Sequence, residues 1–107
     1  MSLIKKIKDK KVNFEFNKEY LKVVTSKIVN NDAQFITNSF NEMHPADAAD
    51  IIELLGQNDR ESLIKLNNFN IDPEVFIELN ESVQSEIIAY LSSDSIVKLL
   101  KNLESDD

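Results

Sequence analysis

The chain has 107 residues, 42% hydrophobic and 29% charged, with a net charge of −7, which fits one small globular domain. It has no cysteine, one histidine and one glycine, which excludes disulfides, thiolate chemistry, multi-histidine metal sites and a glycine-rich phosphate loop. No apolar run approaches the ~20 residues that span a bilayer, and the first residues lack the apolar core of a signal peptide, so the chain is expected neither to cross nor to enter a membrane.

Residues 1–17 form a basic arm. Lys5, Lys6, Lys8, Lys10 and Lys11 are broken only by Ile7 and Asp9. Val12, Phe14 and Phe16 alternate with polar residues in a strand-like way, yet no partner strand exists elsewhere. The expectation is an extended arm whose phenylalanines pack on the first helices, with a short N-terminal helix as the competing reading. Residues 1–27 carry a net +5 and residues 28–107 a net −12. The lysine-rich start fits a solvated arm, or contact with anionic lipid or an acidic partner. The acidic body argues against nucleic acid, which needs a basic footprint, and suits cations or a basic protein surface.

Residues 18–107 read as a helical-repeat domain. Leu21, Val24 and Ile28 share a face, with Asn17 as a cap. Asn30-Asn31 breaks the run and Asp32 caps the next helix, whose stripe is Ala33, Ile36, Phe40 and Met43. Met43–Leu55 is then the most legible stretch. Pro45 suits the first helical position, His44 sits at or near the cap, and Asp47 meets the positive end of the helix dipole. Ala48, Ile51, Ile52 and Leu55 make one apolar stripe, with Asp47, Asp50 and Glu53 as the solvated face. Gly56 reads as the left-handed residue that ends the helix.

Shorter segments follow. Asn58 or Asp59 caps a helix holding Leu63, Ile64 and Leu66, and Asn67–Asn70 is a loop. Asp72-Pro73-Glu74 opens a helix with a capping acid, a proline and a first-turn acid, followed by Val75, Phe76 and Leu79. Asn80 or Glu81 opens a helix with Val83, Ile87, Ile88 and Leu91. Ser93-Asp94 opens the last, with Ile96, Val97, Leu100 and Leu103. Glu104-Ser105-Asp106-Asp107 reads as the start of a further helix, cut off. Leu55, Leu66, Leu79, Leu91 and Leu103 fall 11, 13, 12 and 12 residues apart. Helices this short cannot bury their apolar faces alone, so hairpins must stack. The expected fold is all-α, a right-handed or irregular superhelix of short stacked hairpins.

Catalysis is not expected. The one histidine, His44, reads as a local cap whose ring packs or hydrogen-bonds at the helix start. The serines and threonines have no adjacent base and no glycine-rich turn. What remains is carboxylate chemistry. Magnesium is a hard cation that keeps several waters and takes one or two carboxylates from a surface. The candidates are Asp50, Glu53, Glu74, Glu78, Glu86, Asp106 and Asp107.

The run His-Pro-x-Asp-x-Ala-Asp-Ile-Ile-x-x-Leu at His44–Leu55, with the helix ladder behind it, resembles the cytosolic N-terminal domain of MgtE-type magnesium transporters, from Met43 to Asp107. The resemblance implies a regulatory domain on the cytoplasmic side of the cell membrane. It also implies a homodimeric protein in which tandem CBS domains and a transmembrane domain follow in the same polypeptide. By the same resemblance Glu74 and Asp106, and with them Asp107, are Mg2+ ligands shared with the adjacent CBS domain. The first forty residues depart from the family pattern, as do several helix starts, which carry Asn, Glu or Ser instead of Pro. The rival reading is a protein–protein interaction module of a helical-repeat assembly. The middle domain of the flagellar motor switch protein FliG is of this kind, but its Glu-His-Pro-Gln motif stands here as Met43-His44-Pro45-Ala46.

Overall fold

A computed structural model describes the backbone of residues 10–67 and 69–104, and the side chains of 18–67 and 69–104. The described residues form seven helices and no strand: α1 (Lys10–Val29), α2 (Ala33–Asn41), α3 (Pro45–Leu54), α4 (Gln57–Ile64), α5 (Pro73–Glu78), α6 (Glu81–Tyr90) and α7 (Ser93–Glu104). The fold is all-α, as expected.

Lys10–Asn17 is helical and continuous with α1, which corrects the extended reading of that part of the arm. A lone strand would leave its backbone groups unpaired, whereas a helix pairs its own. Asn17 is therefore inside a helix and does not cap one. The side chains of Val12, Phe14 and Phe16, and residues 1–9 altogether, lie outside the described residues.

The end of α1 is a Schellman turn. The Asp32 N–H donates to the Lys27 carbonyl (2.8 Å) and the Asn31 N–H to that of Ile28 (3.0 Å). Asn31 has φ 58°, the left-handed conformation such a turn requires. Asp32 then opens α2, its Oδ1 accepting from the Phe35 N–H at 3.1 Å.

Gly56 is not left-handed. It has φ −66° and ψ 161° and is the N-cap of α4, so neither Asn58 nor Asp59 caps that helix. The connection works differently from the expectation. Leu55 leaves α3 in an extended conformation (φ −65°, ψ 147°) and hands the chain straight to the next cap. The same happens at Leu79-Asn80 and at Leu91 before Ser92. Three of the five repeating leucines, Leu55, Leu79 and Leu91, are thus hinge residues. They turn the chain between helices while their side chains pack back, Leu55 and Leu79 each only 5% exposed. A Cβ at Gly56 would meet nothing within 4 Å, and its φ suits any residue. Gly56→Ser is therefore expected to stabilise the protein by about 0.5–1 kcal/mol, through a capping hydroxyl and a less flexible unfolded chain. A higher midpoint in urea denaturation would register it.

Such short connections prevent consecutive helices from lying broadly against each other. Packing is instead between helices two apart: α3 on α5 most extensively, α5 on α7, and α4 on α6. The result is two interlocked rows, with α1 packed on α2, α3 and α4. α3 supplies four buried residues, Ala48, Ala49, Ile51 and Ile52. Among the described residues the buried core is entirely apolar. The longer loop between α4 and α5 is held down by Phe69, whose ring meets Phe40 of α2 edge-to-face at 6.4 Å.

The last helix departs from its expected stripe. Leu99 is its buried residue, while Val97 and Leu100 are 53% and 48% exposed. Among the described residues α7 meets only one neighbour broadly, α5, and those residues cover only part of its apolar arc.

Candidate functional site

Glu74 stands in the first turn of α5. Asp72 is the N-cap, Pro73 the first helical residue, and Asp72 Oδ1 accepts the Glu74 N–H at 2.9 Å. This fixes the backbone and turns the Glu74 side chain out to solvent. Its carboxylate has no ion pair among the described residues. Asp106 and Asp107 lie outside the described residues. No group of three or more histidine or acidic side chains among the described residues is placed to hold a metal ion.

Two of the other candidate acids are committed elsewhere. Glu86 of α6 receives a two-pronged contact from Arg60 of α4: Nε to Oε2 at 3.0 Å and Nη2 to Oε1 at 2.9 Å. The Tyr90 hydroxyl donates to the same carboxylate at 2.7 Å. These bonds favour the charged form, so the Glu86 carboxyl is held below the usual range, chiefly by Arg60. The Tyr90 phenol is correspondingly raised, since losing its proton would break the bond to Glu86. Glu53 is not a solvated acid either. Its Oε2 accepts the Asn80 N–H at 2.8 Å and so bridges α3 to the start of α6. Asn80 in turn accepts from the Val83 N–H at 2.9 Å.

Arg60 is the residue that sequence reasoning missed. Besides Glu86, its Nη1 donates to the carbonyls of Ile52 (3.2 Å), Glu53 (3.2 Å) and Leu55 (2.8 Å). It thereby caps the C-terminal end of α3, where carbonyls lack partners and a cation suits the dipole. The available signal was that Arg60 is the sole arginine among twelve basic residues. A planar five-donor fork is what such a convergence of acceptors demands.

Asp47 and Asp50 remain on α3. Asp47 Oδ2 is shielded from solvent with no hydrogen-bond partner among the described residues, and its compensation is the positive end of α3. Asp50 has its carboxyl raised, first by burial and then by the charges of Glu53, Asp47 and Glu78. His44 occupies the N-cap of α3 but is exposed, and its ring makes no capping bond.

The raised Asp50 carboxyl means that its ionisation opposes folding. Its cost is absent below the unfolded value, about pH 3.9, and complete above the raised folded one. Asp50→Asn is therefore expected to raise the melting temperature at pH 7, with the advantage shrinking as pH falls toward 4. Thermal melts followed by circular dichroism across that range read the effect.

Across residues 43–107 the sequence matches the family described as MgtE intracellular N domain. Neither the search of curated proteins nor that of solved structures gave a match. Among the described residues, no helix is long and apolar enough to cross a membrane.

Proposed function

The chain belongs to the MgtE intracellular N domain family, and on that premise we propose that it is a regulatory domain of a magnesium transporter, not an enzyme, that senses Mg2+ through carboxylates shared with an adjacent tandem CBS domain. The observation that carries the reading is the family match itself, which covers the whole ladder from α3 onward.

The chemistry of Glu74 is compatible with a partial ligand set. It is a hard oxygen donor, exposed and uncommitted, on a backbone fixed by its neighbour Asp72. Mg2+ keeps several waters and needs few carboxylates from any one surface. In the proposed mechanism Glu74, with Asp106 and Asp107, provides one side of each coordination shell and the CBS surface the other. High Mg2+ then favours the compact arrangement, because the ion binds it more tightly than the separated one. When Mg2+ falls, carboxylates on the two surfaces repel and the domains part.

Two measurements test this. Calorimetry on this chain alone is expected to give Mg2+ binding in the millimolar range or weaker, and a tight site would contradict the shared shell. Association with the tandem CBS domain added in trans is expected to strengthen as Mg2+ rises. Glu74→Ala and Asp106→Ala should weaken that dependence, and association indifferent to Mg2+ or to both substitutions would sink the proposed ligands.

A further inference from the structure

We propose that the lysine-rich side of the N-terminal quarter of the chain is a docking surface for an anionic phospholipid bilayer, on which the domain lies without crossing it. None of the residues involved is among the candidate Mg2+ ligands, so the proposal stands or falls apart from that reading. It starts from a division of charge that the Mg2+ reading leaves unused. Residues 1–27 hold eight lysines against three acids, and residues 28–107 carry a net −12.

The structure puts part of that excess on a free surface. α1 packs on α2, α3 and α4 through a side that includes Val24 and Ile28, 0% and 5% exposed. Lys18, Lys22, Ser26 and Val29, spaced by four, four and three residues, share another side of the helix, and all four are exposed. Neither Lys18 nor Lys22 has an ion pair among the described residues. Lys27, by contrast, is paired with Asp32 and stands over the Phe35 ring. Lys10 and Lys11 open the same helix, and Lys5, Lys6 and Lys8 precede it. The helices that α1 covers are separated from its free side by its own diameter, about 10 Å. The Debye length at 0.1 M salt is also about 10 Å, so a surface touching these lysines is largely screened from the acidic body.

Two features select lipid over another polyanion. All the basic residues of this quarter are lysines, and the sole arginine, Arg60, is in α4. The arginine fork suits fixed carboxylate, phosphate or nucleic-acid partners, whereas lysine is a point charge. A point charge suits mobile headgroups, which offer attraction without a fixed geometry. The second feature is aliphatic. Leu3, Ile4 and Ile7 are interleaved with Lys5, Lys6 and Lys8, and Val29 ends the stripe on α1 at 73% exposed. Aliphatic side chains between lysines gain from the boundary between headgroups and acyl chains, and gain nothing from a phosphodiester backbone.

Each lysine near an anionic bilayer is worth a gain of roughly fivefold in partition. Co-sedimentation with vesicles of phosphatidylcholine, alone or mixed with phosphatidylglycerol, tests the proposal. Binding is expected only to the mixed vesicles, at about 0.1 M salt, and should be lost at about 1 M, where the Debye length is about 3 Å. Lys18→Gln with Lys22→Gln should weaken it roughly 25-fold, and Lys5→Gln, Lys6→Gln and Lys8→Gln together roughly 100-fold. Helical circular dichroism should stay unchanged in the first of these, because both side chains are on the surface. Lys98→Gln, a neutralised lysine exposed on α7, should bind as the parent does. Ile4→Ser with Ile7→Ser should weaken binding at constant charge. Equal binding to both kinds of vesicle, or binding indifferent to the Lys18 and Lys22 substitutions, would overturn the proposal. So would isoleucine substitutions without effect, the mark of a partner read by charge alone, such as an acidic protein or duplex DNA.

Discussion

Arg60→Ala is expected to be among the most destabilising single substitutions in this chain, at about 2–4 kcal/mol. Removing one partner of a buried pair typically costs about 3–5 kcal/mol, because the other charge stays buried without compensation. The Arg60 and Glu86 side chains are 12% and 17% exposed, so some water reaches the orphaned carboxylate and the lower figure applies. The loss also strips the carbonyls of Ile52, Glu53 and Leu55 of their shared donor. Arg60→Lys should recover only part, since an ammonium cannot reproduce the fork on Glu86 and still reach three carbonyls. Urea denaturation of Arg60→Ala, Glu86→Gln and the double variant should give a combined loss smaller than the sum of the two, the mark of one coupled unit. The pair also sets an acid limit. The Glu86 carboxyl is lowered in the folded state, so its contribution is complete above the ordinary glutamate range, about pH 4.3. It is lost as pH falls through the lowered folded value. Asp50 acts in the opposite direction, so Glu86→Gln should flatten the acid side of the stability profile and Asp50→Asn should raise the neutral side.

Ile52→Ala should cost about 2–5 kcal/mol, the range for emptying a close-packed aliphatic site. Ile52 is 0% exposed on the helix that contacts α1 and α5. Leu54→Ala, two residues further along the same helix, should cost less than about 0.5 kcal/mol, because Leu54 is 54% exposed. The contrast matters because both lie in the stretch that resembles the family. If the two substitutions cost the same in denaturant, the assignment of the buried face of α3 would be wrong. Some of the expected loss reaches the proposed function, since α5, which carries Glu74, rests most extensively on α3.

The helix starts were readable because their signals are local. Asp32 binds an amide three residues on and Asp72 one only two residues on. Asn80 does the same at three residues, so sequence spacing alone decides each. The apolar stripe of α3 was equally plain, since Ala48, Ile51, Ile52 and Leu55 share a face by helical period, and all four are buried. Near the chain ends the period was ambiguous. On α7, Leu99 and Leu100 are neighbours in sequence, and only the position of α5 makes Leu99 the inward one.

What the sequence by itself determined is therefore the all-α class, most helix starts, the leucine rhythm and a family-like opening at His44-Pro45. Only the tertiary structure decided which acids are available. Glu86 is bound to Arg60 across 26 residues and Glu53 to the Asn80 amide across 27. Both pairings depend on which helices the hinges and the longer α4–α5 loop bring together. A carboxylate's local pattern is the same whether it faces water or an arginine. Its freedom to meet a cation is set by the donors around it. Those come from distant parts of the chain: they occupy both oxygens of Glu86 and one of Glu53, and leave the Glu74 carboxylate exposed.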